Sequence, residues 1–291
     1  MDFQLTDDQR ALRSGVRELL TGRFGREALR TAADAAEPSL DRTLWRELGD
    51  AGFFALRLPE GEGGVGLGLP EAVLAFEEAG RVLLPGPLVA THLAAGEVAG
   101  AATGETVVTA VDGVLVPWLV ASDVVRGDAS GAVPVRSLDP MTPLHRVPGG
   151  TAGSGAHDPV GTLLAAAEQL GSAARTCEMA VQYAKEREQF GRPIGAFQAV
   201  QHLCAQMLVR AEVARSAVYA AAVTGDVREI AGAGLLADEA AVGNARDCLQ
   251  VYGGMGFTWE ADVHLHLKRA WLRAELGQSA AEAEELLATA L

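Results

Sequence analysis

The 291-residue chain carries 24 Lys and Arg against 38 Asp and Glu, a formal charge of −14, and 49% of it is hydrophobic. That apolar share can fill roughly two or three compact units, while the acidic balance leaves no basic stripe to neutralise phosphates, so nucleic acid is not an expected partner. The apolar stretch Val107 to Val125 is broken by Asp112, Pro117 and Asp123, so no membrane span is expected, and the opening Met1-Asp-Phe-Gln-Leu5 lacks an export signal's basic start and small-residue cleavage site, which makes the cytoplasm the expected location.

Thr6-Asp-Asp-Gln9 has the pattern of a capping box, and Leu12, Val16, Leu19 and Leu20 follow at helical spacing, which predicts a helix over 7–20. Trp45, Leu48, Phe53 and Phe54 form a second apolar cluster. From Pro59 to Pro70 the chain is too glycine-rich for helix or strand. It reads as a plain connection, since no Lys-Ser or Lys-Thr follows to make it a phosphate cradle. Helical patterning returns over 71–82 and 89–98.

The texture changes after Thr103. Thr106 to Val111 and Val114 to Val120 are β-branched runs joined by Asp112-Gly113, which predicts a hairpin in a small β unit. The glycine-rich stretch Pro148 to Pro159, with Ser154 and Asp158, reads as a linker. Beyond it Leu163, Ala167, Leu170, Ala174, Cys177, Val181 and Ala184 recur at helical spacing, as do Phe197, Val200, Cys204, Met207, Ala211, Ala214 and Val218. Two long antiparallel helices follow, then one over 235–252 and further helical sequence over 261–290, a bundle of four or five. Expected domains are therefore 1–103 helical, 104–155 β unit and linker, and 156–291 helical bundle. Cys177, Cys204 and Cys248 are isolated within helical patterns and read as reduced thiols, neither disulfide nor metal site.

Between the long helices lies Arg187-Glu-Gln-Phe-Gly-Arg-Pro-Ile-Gly-Ala-Phe-Gln198. Gly191 and Pro193 stop one helix and release the next, and an arginine on the last helical turn offers a planar fork for two phosphate oxygens. Gln250-Val-Tyr-Gly-Gly-Met-Gly-Phe257 ends the third helix with glycines that permit close backbone approach. These segments, in this order and with the N-terminal stretches 3–9, 48–53 and 59–67, resemble the acyl-CoA dehydrogenase family of flavoproteins. The resemblance implies a mainly α fold with an N-terminal helical domain, a β middle domain and a C-terminal bundle. It also implies FAD as cofactor, with Arg187 on the pyrophosphate, Phe190 packed on the cofactor, Gln198 at its nucleotide half, and Gln250, Gly253 and Gly254 lining the flavin of a neighbouring subunit. The implied partners are acyl-CoA and an electron acceptor flavoprotein.

The family's reaction takes a proton from the thioester α carbon with a carboxylate while hydride leaves the β carbon for the flavin. Counting from Gln250 to one usual position of that glutamate gives Gly277, and the other usual position, early in the first bundle helix, reads Gly161. No catalytic residue is therefore assigned. Glu275 would face the wrong side of a helix and reads as a surface residue, Glu260 and Asp262 as ion-pair partners of Lys268 or Arg269, and His264 and His266 point to different faces. The β unit is short, without a Met-Thr-Glu-Pro-like flavin-ring segment. A shortened chain without the glutamate resembles the companion subunits of actinobacterial heterotetrameric acyl-CoA dehydrogenases, which implies a related partner that supplies the base. The expected state is a hetero-oligomer, a tetramer, with self-association as the alternative. Two rival functions stay open: a scaffold subunit that no longer binds FAD, and a flavin oxidoreductase of this fold with other chemistry.

Overall fold

In the computed structural model, residues 4–148 and 157–289 are described. Phe3, residues 149–156 of the expected linker with Ser154, and Ala290 lie outside the described residues. Helix α1 (Asp7–Arg23) starts on the expected box, with the Thr6 hydroxyl accepting from the Gln9 N–H and the Gln9 side chain returning to the Thr6 N–H. Helices α2 (Arg26–Asp34) and α3 (Arg42–Asp50) follow, and α3 buries Trp45 and Leu48 against Phe53 and Phe54. The 59–70 stretch is a connection with one short 3-10 turn over Glu60–Glu62, and α4 (Leu69–Arg81) leaves it.

Helix α5 (Leu88–Leu93) is shorter than the expected 89–98. Gly96 is a poor helix former and Gly100, at φ 78°, lies outside helical space altogether, so the chain continues in tight turns. Strands β1 (Val108–Ala110), β2 (Leu115–Pro117), β3 (Val124–Arg126), β4 (Val133–Val135) and β5 (Leu144–Arg146) form the β unit. The expected hairpin is not there. β1 pairs in parallel with β3, while β2 and β4 flank β5 in an antiparallel sheet. The cause is distant in sequence: Asp123, held by Arg42 at 2.5 Å, accepts the Val107 N–H at 2.8 Å and draws β3 against β1. β1 and β2 share instead the Thr109 hydroxyl's bond to the Pro117 carbonyl at 2.7 Å, and Pro117 has no N–H to return.

The bundle comprises α6 (Pro159–Glu186), α7 (Gln198–Thr224), α8 (Val227–Tyr252), α9 (Val263–Ala274) and α10 (Ala280–Ala288). Helix α8 begins eight residues before the expected 235, on an Asp226 cap that the alanine-rich periodicity does not reveal. The N-terminal helices join the bundle through α4, buried on almost every side. A Cβ at Gly171 would lie 1.9 Å from the Glu77 carbonyl, so glycine alone lets α4 and α6 cross this closely. Glu77 and Glu78 are buried there with their partners: Tyr219 donates to Glu77 at 2.6 Å beside Arg215, and Arg17 grips Glu78 at 2.6 and 2.8 Å. Among the described residues no helix is long and apolar enough to cross a membrane.

Two histidines inside this framework set a pH dependence. His92, buried at 5% exposure, is pushed down to about 4 by burial and by the nearby Arg57 charge. His266, at 3%, is pushed to about 3 by burial and then by Arg175, Arg269 and Arg81, and its Nδ1 lies 2.8 Å from the Ser172 hydroxyl. Both stay neutral in the folded chain, whereas the unfolded chain protonates them below about pH 6.5. Stability is therefore complete above that pH and falls as pH drops from it toward 4, by about 1.4 kcal/mol per pH unit for each histidine. Urea unfolding of His266→Gln across this window is expected to lose one histidine's share of the slope; an unchanged slope would contradict the assignment.

Candidate functional site

Arg187 caps α6 in an extended conformation (ψ 121°), one residue beyond the last turn where it was expected, and donates its N–H to the Tyr183 carbonyl at 2.8 Å. Strands β6 (Glu188–Gln189) and β7 (Arg192–Pro193) then form a two-residue hairpin whose tip is Phe190-Gly191. Both tip residues have left-handed φ, 54° and 77°, as in the primed turns that suit a two-residue hairpin. The breakers thus do more than stop a helix: they hold a phenylalanine out. Phe190 is 93% exposed and meets Phe197 edge to face, centroids 6.1 Å apart, while Arg192 covers the Phe197 ring at 4.3 Å.

A bulky residue held at positive φ costs about 1–2 kcal/mol, and such strain held without burial directs attention to what the ring meets outside the chain. Phe190→Gly is expected to raise the unfolding free energy by roughly 1 kcal/mol, because it removes that cost and loses little buried area. A drop in the denaturation midpoint would show that the ring is needed by this chain's own fold.

The second motif lies at the same end of the bundle, since α6 and α8 finish where α7 begins. Tyr183 of α6 stacks on Tyr252 of α8, centroids 4.0 Å apart and planes at 14°. Gly253, at φ 58° and ψ −138°, turns the chain out of α8 into a 3-10 turn over Gly253–Phe257. A Cβ on Gly253 or Gly254 would meet nothing within 4 Å; the left-handed φ of 58° still calls for glycine at 253, whereas nothing among the described residues demands it at 254. Arg187, Phe190, Gln198, Gln250 and Gly254 are all exposed, and the Arg187 side chain has no partner among the described residues. Met255 and Phe257 stand beside them at 50% and 79% exposure. An unpaired fork, a raised aromatic ring and an open glycine edge fit one side of a flavin nucleotide met from outside.

A separate cavity of about 240 Å³ lies between β1, β2 and α5 on one side and α6, α8 and the α9–α10 turn on the other. Its wall is largely apolar, with Val89, Leu93, Leu115, Leu235, Leu272 and Leu276. Gly161 and Gly277, the two positions without a glutamate, both line it although they come from opposite ends of the bundle sequence. A Cβ at Gly161 would sit 3.2 Å from Leu93 Cδ1, and Gly277 holds φ 74° beside Asp112.

The carboxylates that do line the cavity are each engaged. Asp112 meets His157 Nδ1 at 2.7 Å, Asp158 accepts the Val160 N–H at 2.8 Å, and Glu168 takes both guanidinium nitrogens of Arg273. Asp238 accepts from Gln169 Nε2 at 2.7 Å; burial raises its carboxyl, and Gln169 and Arg273 oppose that. Sequence reasoning missed Asp238, Gln169, Arg269 and Thr142 as lining residues. For Asp238 a signal existed: it stands seven residues after Ala231 and three before Ala241, both buried, hence on the inward stripe.

The ion-pair expectations for α9 need correcting. Asp262 pairs with Arg26 at 2.6 Å and with Arg30, and Arg269 pairs instead with the buried Asp139. Seven helical residues place Arg269 about 10 Å along the axis from Asp262. Glu260 offers Arg26 its backbone carbonyl at 3.1 Å, and Lys268 lies over the Trp259 ring at 4.6 Å. His264 stacks on Trp259 while His266 faces Ser172, on different sides as expected, and Glu275 is exposed.

Comparison with known proteins places this architecture. The sequence model "Acyl-CoA dehydrogenase, N-terminal domain" matches residues 6–106, and "Acyl-CoA dehydrogenase, C-terminal domain" matches residues 160–287. Acyl-CoA dehydrogenase IpdE2 of Mycobacterium tuberculosis is 36% identical over 95% of this chain and 95% of its own length. Butyryl-CoA dehydrogenase from Megasphaera elsdenii superposes with a TM-score of 0.84 at 20% identity, covering 100% of this chain and 99% of that one. A chain of the ChsE4-ChsE5 complex from Mycobacterium tuberculosis gives 0.80 at 24% identity, covering 99% and 98%.

Proposed function

The chain belongs to the acyl-CoA dehydrogenase family of flavin-dependent oxidoreductases, and on that premise we propose that it is the glutamate-free subunit of a hetero-oligomer, a tetramer, that dehydrogenates acyl-CoA in the cytoplasm. The observation that carries the reading is the contrast between the two regions. The Arg187 side chain, the Phe190 ring and Gly254 stand exposed, whereas Gly161 and Gly277 occupy the two glutamate positions, and the carboxylates that line the cavity are each engaged by other groups of this chain.

In this reading FAD, when bound, accepts the hydride from the β carbon. Arg187 would hold its pyrophosphate, the guanidinium fork being suited to two phosphate oxygens, Phe190 would lie on the cofactor, Gln198 would contact the nucleotide half, and Gln250, Gly253 and Gly254 would border the ring in a site completed by the partner. The α proton goes to a carboxylate of that related subunit, because this chain's cavity carboxylates are already committed to His157, a helix cap, Arg273 and Gln169. The electron acceptor for such a complex would be a second flavoprotein.

The test is to purify the chain alone and with a longer, glutamate-bearing relative, and to record visible flavin absorbance and acyl-CoA oxidation for each. Flavin and activity are expected only for the complex. A homo-oligomer of this chain alone with stoichiometric FAD and acyl-CoA dehydrogenation would overturn the reading, and an assembled complex whose flavin content is indifferent to this chain's motifs would favour a scaffold role.

A further inference from the structure

We propose that Tyr183 and Tyr252 are positioning residues for the flavin site, their stacked rings locking the Arg187 hairpin and the Gly253 turn into one surface, an inference that rests on the flavin reading above. The two motifs leave different helices, and these rings stand where they leave. Tyr183 lies on the last turn of α6, and Tyr252 is the last residue of α8. Their centroids are 4.0 Å apart and their planes 14° from parallel. On one side the Tyr183 carbonyl accepts the Arg187 N–H at 2.8 Å, and the Arg187 carbonyl accepts the Ile194 N–H at 2.8 Å, which closes the base of the hairpin. On the other, Gly253 follows Tyr252 directly and returns its N–H to the Gln250 carbonyl. Ile194 packs in the same cluster as both rings. Both tyrosines are half-buried, and burial pushes the Tyr252 phenol up to about 12, whereas Arg187, Phe190 and Gly254 stand exposed. The rings therefore lie beneath the motif surface.

Near this end α6 offers little else to fix its register on α8. Asn244 fixes the middle of the bundle, donating to the Ala173 carbonyl at 3.0 Å and to the Met207 carbonyl at 2.9 Å. From Asn244 to Tyr252 helix α8 runs about 12 Å. Beyond Cys177 the fully buried residues of α6 are Ala180 and Ala184. Such short side chains interlock weakly and leave a helix some freedom to rotate about its axis. A pair of rings in contact prefers particular offsets and orientations, so it sets rotation as well as spacing. Loss of the stack would leave both motifs intact in sequence and free to drift relative to each other.

The experiment measures FAD affinity of the assembled complex for Tyr183→Leu, Tyr252→Leu and the double variant, beside amide hydrogen exchange of the isolated chain. Each single change keeps an apolar side chain and is expected to weaken FAD binding roughly 2- to 10-fold, the range of one aromatic pair. The double variant should bind no more weakly than either single one, because the same stack is lost. Tyr183→Phe keeps the ring and should bind as the parent does. In the isolated chain Tyr252→Leu is expected to speed exchange of the Arg187 and Ile194 amides, and Tyr183→Leu that of the Gly253 amide, each on the other side of the stack. Val218→Ala, buried toward the far end of α7, tests for a general effect of lost stability and should leave FAD affinity unchanged. Parent-like affinity of the leucine variants, effects that multiply in the double variant, equal weakening by Val218→Ala, or faster exchange confined to the mutated helix overturns the proposal. Loss of FAD from Arg187→Ala but from neither tyrosine variant sinks the stack and leaves the flavin reading standing. Retention of FAD by Arg187→Ala sinks the flavin reading, and exchange in the isolated chain then decides the lock by itself.

Discussion

Asp139→Ala is expected to lower the unfolding free energy by about 3–5 kcal/mol, the cost of leaving a buried charge without its partner. Asp139 is fully buried and accepts from Arg269, from the Thr142 hydroxyl at 2.6 Å and from the Met141 N–H at 3.1 Å. Arg269 reaches on to the Leu83 and Leu84 carbonyls at 3.5 and 3.2 Å. One ion pair therefore ties the β unit, the end of α4 and helix α9 together. With Asp139 gone, the guanidinium stays buried, 3% exposed, without its counter-charge. The paired change Asp139→Leu with Arg269→Met should cost less than Asp139→Ala, because it removes both charges and keeps volume. Arg23→Ala provides the contrast: its bond to Glu47 at 3.1 Å is 58% and 32% exposed, and such pairs contribute about 0–1 kcal/mol. Urea unfolding checks all three, and a loss below about 1 kcal/mol for Asp139→Ala would mean that the site relaxes enough to hydrate Arg269.

What was legible in the sequence followed the range of the forces involved. Helix α1 was readable because Thr6 and Gln9 satisfy each other within one turn, and α6 and α7 because their apolar period persists over many turns. Asp112-Gly113 misled for the complementary reason. The dipeptide permits a hairpin, but Arg42, far away in sequence, fixes Asp123 and gives β1 a different neighbour. The same limit hid the cavity: Gln169, Asp238 and Arg269 belong to three helices, and only packing brings them to one wall. Phe190 errs in the other direction. Composition places a phenylalanine in a core, whereas its left-handed turn beside Gly191 holds it at 93% exposure.

Arg187→Ala is expected to weaken flavin retention by the assembled complex by about 2–5 kcal/mol, the cost of truncating one member of a desolvated charge pair, which is on the order of 30- to 4,000-fold in affinity. The formal charge of −14 gives this chain no long-range attraction for a pyrophosphate, so a single well-placed cation carries more of the binding than it would on a basic surface. Stability of the chain itself should stay within about 0.5 kcal/mol, because the side chain is exposed and without a partner among the described residues. Arg187→Lys keeps the charge and loses the fork, and should recover only part of the retention. Flavin absorbance after gel filtration of the complex, beside urea unfolding of the isolated chain, separates these effects. If Arg187→Ala keeps its flavin as tightly as the parent, the arginine does not hold the cofactor, and the exposed end of the bundle serves assembly alone. If retention falls while folding is untouched, the lost interaction lies beyond this chain's own surface, as the unpartnered guanidinium implies.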